Sequence, residues 1–410
     1  MAQYVDPEKL IARNKYLEAF VPYKDKRIIK IVTGIRRCGK STLLFEIFAN
    51  WLRENGAAEE QIILVDLEKK YNAHLCSEDA LYAHINSKLQ EGKMNYVIID
   101  EVQKCKGFQN VINSLHTEKG VDIYVTGSNS SVLSGELTTL IRGRSVEIKM
   151  HTLSFSEYVS ARKDKKNLSM ERLYQQYALH GGFPFVLEFL GYDKQLSEYL
   201  ESIYNTIFKN DIVDRHTIKD VAMFEDVMRF VFDNIGKQLS VKKISDTMTS
   251  GGRKISQPTV ESYLGYMEEA FLFYKAGRFD VKGKDYLKFN AKYYVADVGL
   301  RNYILNYRGI DRGNVLENIV YLELLRRGYK VSAGKVDEAE IDFVATKNGE
   351  TVYIQAAESV KEEKTLEREL RPLKAVKDFH SRLLLTLDYD MNKSYDGIKH
   401  INALDFLLEE

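Results

Sequence analysis

The chain has 410 residues, of which 44% are hydrophobic and 29% are charged, a composition typical of a soluble globular protein with more than one domain. Its 59 lysine and arginine residues equal its 59 aspartate and glutamate residues. The overall charge therefore gives no reason to expect a nucleic-acid or membrane partner, and any basic surface must be local.

Cysteine usage and the N-terminus both point to the cytoplasm. Cys38, Cys76 and Cys105 lack the paired spacing of a zinc site and are typical of reduced cytosolic thiols. The N-terminus lacks the basic and apolar regions of a signal peptide. No apolar run approaches the roughly 18 residues that a membrane span needs. We therefore predict a cytoplasmic protein with no membrane partner.

Short apolar runs alternate with helical patterns over residues 27–150. The runs are continuous rather than alternating in polarity, which fits parallel strands that are buried on both faces. Their alternation with helices predicts a doubly wound α/β sheet in a domain of residues 1–150. The predicted strands are residues 28–33, 61–67, 96–100, 122–126 and 145–149.

The rest of the chain divides into three predicted domains. Residues 151–235 have a helical pattern that is broken by a Gly-Gly-Phe-Pro turn at 181–184, which predicts a helical lid. Residues 236–305 combine two helices with a pair of strands, the order of a winged helix. Residues 306–410 begin with a helix and predict a second, smaller α/β unit.

The strongest motif is a complete GxxxxGKS sequence directly after the first predicted strand. Its glycines let backbone N–H groups surround a β-phosphate, and the N-terminus of the following helix adds positive potential. Lys40 is expected to reach the β- and γ-phosphates, and the Ser41 hydroxyl to coordinate Mg²⁺. A glycine turn with a chance lysine is the alternative, which the strand before and the helix after the loop disfavour. The predicted ATP-binding residues are Gly34, Ile35, Arg36, Arg37, Cys38, Gly39, Lys40, Ser41 and Thr42.

A second motif is an apolar strand that ends in Asp100 and is followed by Glu101. Asp100, at the carboxyl end of a central strand, faces the crevice where nucleotides bind and is expected to hold the Mg²⁺ shell. Glu101 is then placed to orient or deprotonate the attacking water, which predicts ATP hydrolysis as well as binding. An acid pair after a strand is by itself usually a solvated strand end; its position after the loop favours the catalytic interpretation.

Three further stretches carry a family resemblance. They are Asp100-Glu101-Val102-Gln103, Val125-Thr126-Gly127-Ser128-Asn129-Ser130 and Gly143-Arg144. Together with the turn at 181–184, they resemble a bacterial and archaeal family of AAA-type P-loop ATPases with a C-terminal domain of unknown function that looks like a degenerate nuclease. The resemblance covers nearly the whole chain and implies an AAA-type P-loop fold with ATP and Mg²⁺ as cofactors.

The resemblance also implies two further features of the ATP site. Ser128 or Asn129 ends the strand beside Asp100, where such ATPases keep a polar sensor of the γ-phosphate, and the sequence leaves open which of the two it is. Arg142 and Arg144 precede the last core strand, where a related ATPase places an arginine finger, often supplied by a neighbouring subunit. A finger that acts in trans predicts a homo-oligomer. Pairing of either arginine with a local carboxylate is the alternative.

A basic segment lies in the predicted winged helix. Basic residues outnumber acidic ones there, and aromatic residues stand between them, a pattern that fits phosphate contacts by the wing. DNA is therefore a predicted partner, with a solvated lysine-rich hairpin as the alternative. The basic residues are Lys275, Arg278, Lys282, Lys284, Lys288 and Lys292.

The C-terminal unit resembles the core of restriction-type nucleases, where a helix glutamate, a strand aspartate and a Glu-x-Lys strand bind a metal. Glu317 and Asp342 match the first two positions, whereas Gln355 replaces the carboxylate of the third and Ala357 replaces the lysine. A neutral amide is a poorer ligand for a hard divalent cation than a carboxylate. The loss of the lysine also leaves no fixed positive charge beside a scissile phosphate. We therefore expect a vestigial site in a nuclease-like fold that does not cleave.

The sequence thus favours an ATP-hydrolysing switch or motor that couples its nucleotide state to C-terminal domains that bind DNA or a partner. Two other functions remain open. One is an ATP-gated, metal-dependent DNA nuclease, and the other is a non-enzymatic regulatory module that binds partners in an ATP-dependent way.

Overall fold

The computed structural model describes residues 10–130, 143–162, 165–283, 285–308, 311–389 and 393–409. The chain forms two compact units, Met1–Met150 and His151–Glu410. The predicted bounds of the ATPase domain and of the helical lid stay predictions. The division of the second unit into three domains stays a prediction.

The first unit is built on a parallel sheet with the strand order β2-β3-β4-β1-β5. The observed strands start and end within one residue of the predicted runs, so the predicted parallel sheet is confirmed. They are β1 (Ile29–Thr33), β2 (Ile62–Asp66), β3 (Asn95–Asp100), β4 (Val121–Gly127) and β5 (Ser145–Lys149).

Helices cover both faces of this sheet. On one face, alternate strand residues such as Ile31, Ile99 and Val125 form a buried apolar core with α3 and α4. On the other face, Phe48 of α2 packs against Tyr124, with ring centroids 4.6 Å apart. The helices are α1 (Asn14–Phe20), α2 (the consecutive segments Lys40–Thr42, Leu43–Phe48 and Ala49–Glu54), α3 (Glu78–Asn86) and α4 (Phe108–Thr117).

Lys30 of β1 and Asp122 of β4 form an ion pair inside this second face. Their side chains are 0% and 1% exposed. The Asp122 carboxylate also accepts hydrogen bonds from the Tyr124 hydroxyl and the Asp25 backbone N–H, each at 2.9 Å. Burial lowers the pKa of Lys30 and raises the pKa of Asp122, while the opposite charge of each partner counteracts the shift. Each charge therefore depends on the other to be tolerated in the interior.

The second unit contains a mixed sheet in which the described strands follow the order β13-β14-β12-β11-β10-β9-β7-β8-β6. Because β7 pairs in parallel with β9, the hairpin of the predicted winged helix and the strands of the predicted nuclease-like unit form one sheet. The strands are β6 (Gln238–Leu239), β7 (Phe273–Asp280), β8 (Asp285–Val295), β9 (Lys330–Val336), β10 (Ala339–Lys347), β11 (Glu350–Ala357), β12 (Ser381–Thr386), β13 (Lys393–Tyr395) and β14 (Ile398–Asn402).

Helices precede and flank this sheet. Helix α6 ends at His180, directly before the predicted turn, and the Gly182 backbone N–H donates to the buried Asp297 carboxylate at 2.8 Å. In the part of the chain that the structure describes, no helix is both long enough and apolar enough to cross a bilayer. The helices are α5 (Phe155–Ala161), α6 (Met170–His180), α7 (the consecutive segments Asp193–Asn205, Thr206–Val213 and Asp214–His216), α8 (Val221–Asp233), α9 (Val241–Ser250), α10 (Gln257–Glu269), α11 (Val298–Ile304), α12 (Arg312–Arg326), α13 (Glu363–Ala375) and α14 (Ala403–Leu408).

We predict that Asp122→Ala destabilises the first unit by about 3–5 kcal/mol, because it leaves the Lys30 ammonium group buried without its partner. Trp51 is the single tryptophan of the chain and stacks on Phe48 in this unit. Urea unfolding followed by tryptophan fluorescence therefore reports on the first unit alone.

Arg53→Ala is the matched control, because it removes an ion pair with Glu59 whose side chains are 34% and 68% exposed. This substitution is expected to cost less than about 1 kcal/mol. Similar small losses for both variants would contradict the importance assigned to the buried pair.

Candidate nucleotide-binding site

The loop after β1 passes so close to a neighbouring backbone that its first residue must be glycine. A Cβ atom at Gly34 would lie 2.1 Å from the carbonyl oxygen of Met150. The φ angle of +149° is a further reason, because few side chains tolerate it. Gly39, with a φ of +105°, then turns the chain into α2. The two glycines of the motif are therefore required by the backbone path of the loop.

The ammonium group of Lys40 lies inside this loop. It donates hydrogen bonds to the carbonyl oxygens of Gly34 (2.9 Å) and Ile35 (3.2 Å), and the residue is 4% exposed. Both acceptors are neutral groups of the loop itself. Phosphate oxygens are stronger, charged acceptors for an ammonium group. The lysine is thus placed to exchange loop carbonyls for the phosphates of a nucleotide.

The Asp100 carboxylate, at the end of β3, connects the loop with the neighbouring strand β4. One of its oxygens accepts a hydrogen bond from the Ser41 hydroxyl at 2.7 Å, and the other accepts one from the Thr126 hydroxyl. A hydroxyl and a carboxylate are the hard oxygen ligands that Mg²⁺ prefers beside nucleotide phosphates. The residues present therefore fit the predicted cation.

Glu101 follows in a backbone conformation that is uncommon for a residue with a side chain, with a φ of +51°. Its N–H donates to the Thr126 hydroxyl oxygen at 2.9 Å, which holds this conformation. Its carboxylate accepts hydrogen bonds from the Ser128 hydroxyl (2.8 Å) and the Gln103 amide. Unusual backbone conformations that the surroundings enforce are concentrated at functional sites.

The two adjacent carboxylates differ in their affinity for protons. Burial raises the pKa of Asp100 to about 6, although the hydrogen bonds from Thr126 and Ser41 oppose this. Burial also acts against ionised Glu101, but the charges of Lys40 and Arg36, with hydrogen bonds from Ser128 and Gln103, bring the pKa of Glu101 below its usual range. Glu101 is therefore ionised at neutral pH, as a general base must be.

Three other predicted residues, Arg36, Cys38 and Asn129, differ in their contacts and exposure. Arg36 forms an ion pair with Glu68 at 3.1 Å. Cys38 is fully buried, and Asn129, after Ser128, is 1% exposed. Of the two candidate sensors, Ser128 has the direct hydrogen bond to Glu101. Which residue senses the γ-phosphate stays a prediction.

Arg144 lies at the amino end of the parallel strands, whereas the loop lies at their carboxyl end. It precedes β5, whose first residue pairs with Ile29 at the start of β1, and its carbonyl oxygen accepts the Ile29 N–H at 2.8 Å. The loop follows the other end of this five-residue strand, about 16 Å away at about 3.3 Å per residue. That distance exceeds the reach of an arginine side chain. Arg142 lies outside the described residues.

Three residues that hold the site were not assigned a role from the sequence. Thr126 and Gln103 stand within the stretches that carry the family resemblance, so a signal for them was present. Arg13 had none: its guanidinium group, 25 residues away in sequence, donates to the carbonyl oxygen of Cys38 at 3.1 Å, and the residue is 3% exposed.

In the second unit, the two predicted carboxylates of the vestigial nuclease site surround a lysine. The Lys292 Nζ lies 2.8 Å from Glu317 Oε1, 3.2 Å from Asp342 Oδ1 and 2.7 Å from Glu340 Oε1. Two expectations are therefore wrong: that this site lacks a fixed positive charge, and that Lys292 belongs to a basic surface. Lys292 of β8 meets acids from α12 and β10, which lie 25 and 50 residues away in sequence at Glu317 and Asp342, and no local pattern reveals this contact.

The amide oxygen and the amide nitrogen of Gln355 each form a hydrogen bond. Its oxygen accepts the Asp342 backbone N–H at 3.2 Å, and its nitrogen donates to Glu369 at 2.9 Å. The amide thus connects two acidic residues of the fold. The expectation that this site does not cleave stays a prediction.

The other basic residues of the hairpin are unequally exposed. Lys275 is exposed, and Arg278 is half-buried. Lys282 is exposed and forms an ion pair with Asp337. Lys284 and the side chain of Lys288 lie outside the described part of the chain. DNA contact by this hairpin stays a prediction.

Comparison with known proteins agrees with the geometry of the loop and sheet. A family model described as an AAA domain matches residues 26–159, and a model of a domain of unknown function matches residues 171–311. An uncharacterized protein of Haemophilus influenzae is 39% identical, covering 98% of this chain and 99% of the relative. One from Methanocaldococcus jannaschii is 27% identical, covering 85% and 79%.

Among solved structures, the Walker-type ATPase of Pyrococcus abyssi is similar in fold. It matches with a TM-score of 0.53 and 14% identity, covering 73% of this chain and 97% of that one. The near-complete match to a close relative and the AAA domain model together establish the family. The chain belongs to the AAA-type P-loop ATPases that carry a C-terminal domain of unknown function.

Proposed function

We propose that the protein is a Mg²⁺-dependent ATPase that couples its nucleotide state to the binding of DNA or another partner by its C-terminal unit. The observation that carries this proposal is the chain of hydrogen bonds from Ser41 through Asp100 and Thr126 to Glu101. This chain of hydrogen bonds supports the proposal because it holds Ser41, Asp100 and Glu101 in one arrangement beside the phosphate loop.

In this proposal the loop and Lys40 bind the β- and γ-phosphates, and Ser41 with Asp100 holds the cation. The cation, when bound, neutralises charge on the phosphate oxygens. Glu101 accepts a proton from the water whose oxygen attacks the γ-phosphorus as the bond to the bridging oxygen breaks. Ser128 and Gln103 orient the Glu101 carboxylate through their hydrogen bonds. Ser128 is the favoured γ-phosphate sensor because it contacts this base.

Arg144 is proposed to act on the nucleotide of a neighbouring subunit. Its position at the amino end of the strands prevents it from reaching the loop of its own subunit, and an arginine finger is often supplied in trans. A homo-oligomer follows from this assignment. Lys275 and Lys282 are proposed to contact DNA phosphates, because they are exposed on the hairpin, whereas Lys292 is not available to DNA.

We predict that Glu101→Gln lowers the ATP turnover number at least 100-fold, about 2.7 kcal/mol in activation free energy, while ATP still binds. The amide keeps the shape of the side chain but accepts no proton. Turnover is measured by phosphate release, with and without duplex DNA, and binding by titration with a fluorescent ATP analogue. Glu118→Gln, at an exposed position of the same unit, is the control. Unchanged turnover in Glu101→Gln would contradict the assignment of the base.

A second prediction concerns Arg144. We expect Arg144→Ala and Lys40→Ala each to lose ATP turnover. Arg144→Ala lacks the arginine finger, and Lys40→Ala lacks the ammonium group that is proposed to bind the β- and γ-phosphates. Mixing the two inactive chains should restore a part of the activity, since a subunit with an intact loop then meets a neighbour with an intact arginine. No recovery over a range of mixing ratios and protein concentrations would argue against a finger in trans.

A further inference from the structure

The acidic cluster of the second unit surrounds the ammonium group of Lys292. Lys292 comes from β8, Glu317 from α12, and Glu340 and Asp342 from β10. An ammonium group has three N–H donors. Three carboxylates, contributed by two other elements of the fold, lie within 3.2 Å of this nitrogen. The donors and the acceptors therefore match in number.

Each of the three carboxylates also accepts a hydrogen bond from a second group. The Tyr294 hydroxyl donates to Glu317 at 2.6 Å, and the Ala356 backbone N–H donates to Asp342 at 3.0 Å. The Gln238 amide donates to Glu340. Lys292 itself is 2% exposed. These contacts orient the carboxylates around the ammonium nitrogen in the way that outer hydrogen bonds orient carboxylates around a metal ion.

Gathering oxygen ligands from separate elements of a fold is what a bound divalent cation ordinarily does. Here a compact, singly charged ammonium group occupies that central position. We propose that Lys292 takes the place of a divalent metal ion in this cluster, so that the second unit keeps its acidic site closed and free of metal. The proposal is independent of the ATPase function proposed above.

One further observation agrees with this assignment. Burial alone would lower the pKa of Lys292, but the charges of Glu317, Asp342 and Glu340 outweigh it and raise the pKa above its usual value, so the group keeps its proton. The lysine thus connects the β7–β8 hairpin to α12 and β10 without a metal.

The experiment is a manganese titration of the full-length chain, followed by electron paramagnetic resonance. Every chain carries Asp100→Asn, which removes the carboxylate proposed to bind the cation of the nucleotide site. The parent chain is expected to bind no Mn²⁺ at the cluster. Lys292→Met, which keeps the length of the side chain but removes its charge, should gain one Mn²⁺ site, with an affinity at least tenfold higher than that of any residual Mn²⁺ binding by the parent. Adding Asp342→Asn to Lys292→Met should abolish that site.

Thermal unfolding of the same chains, followed by circular dichroism, gives a second readout. Mn²⁺ should raise the unfolding temperature of Lys292→Met, or restore its folding if it is unfolded without metal, and should leave the parent unchanged. Binding of Mn²⁺ by the parent that Asp342→Asn removes would overturn the proposal, because Lys292 and a metal would then share the site. A Lys292→Met chain that gains no manganese site, whether folded or unfolded, would also overturn it.

Discussion

The hydroxyl group of Thr126 holds the two acidic residues of the nucleotide site in place at once. It donates to the Asp100 carboxylate and accepts the N–H of Glu101, whose left-handed backbone depends on such a contact. Because Asp100 also accepts a hydrogen bond from Ser41, this contact ties β3 and β4 to the loop after β1. The parallel sheet supplies the frame, since it brings the carboxyl ends of these strands to one edge.

The strands of the first unit were predictable because parallel strands buried on both faces need continuous apolar runs, and few other structures leave that pattern. The loop was predictable because its glycines are required by backbone contacts rather than by distant side chains. Short elements such as β6 and α14 were missed, since a few residues carry no periodicity that can be recognised.

Long-range contacts set the limit of prediction within the sites. Arg13 reaches the loop from outside any motif, and Lys292 contacts Glu317 and Asp342, which are 25 and 50 residues away in sequence. Both are basic residues that are buried, which runs against the usual exposure of arginine and lysine. The two acidic sites differ in the groups that lie beside their carboxylates. The Asp100–Glu101 site lies beside a phosphate loop, whereas the Glu317–Asp342 site already contains its own cation.

The central claim is that hydrogen-bonded positioning of Asp100 and Glu101 makes the first unit a hydrolytic site, and a Thr126 pair of variants tests it most directly. Thr126→Val keeps the shape of the side chain without the hydroxyl, and Thr126→Ser keeps the hydroxyl. Single-turnover ATP hydrolysis should slow at least tenfold in Thr126→Val and stay within about threefold of the parent rate in Thr126→Ser, with nucleotide binding retained in both; a tenfold change in rate corresponds to about 1.4 kcal/mol. Hydrolysis at the parent rate in Thr126→Val would contradict the claim.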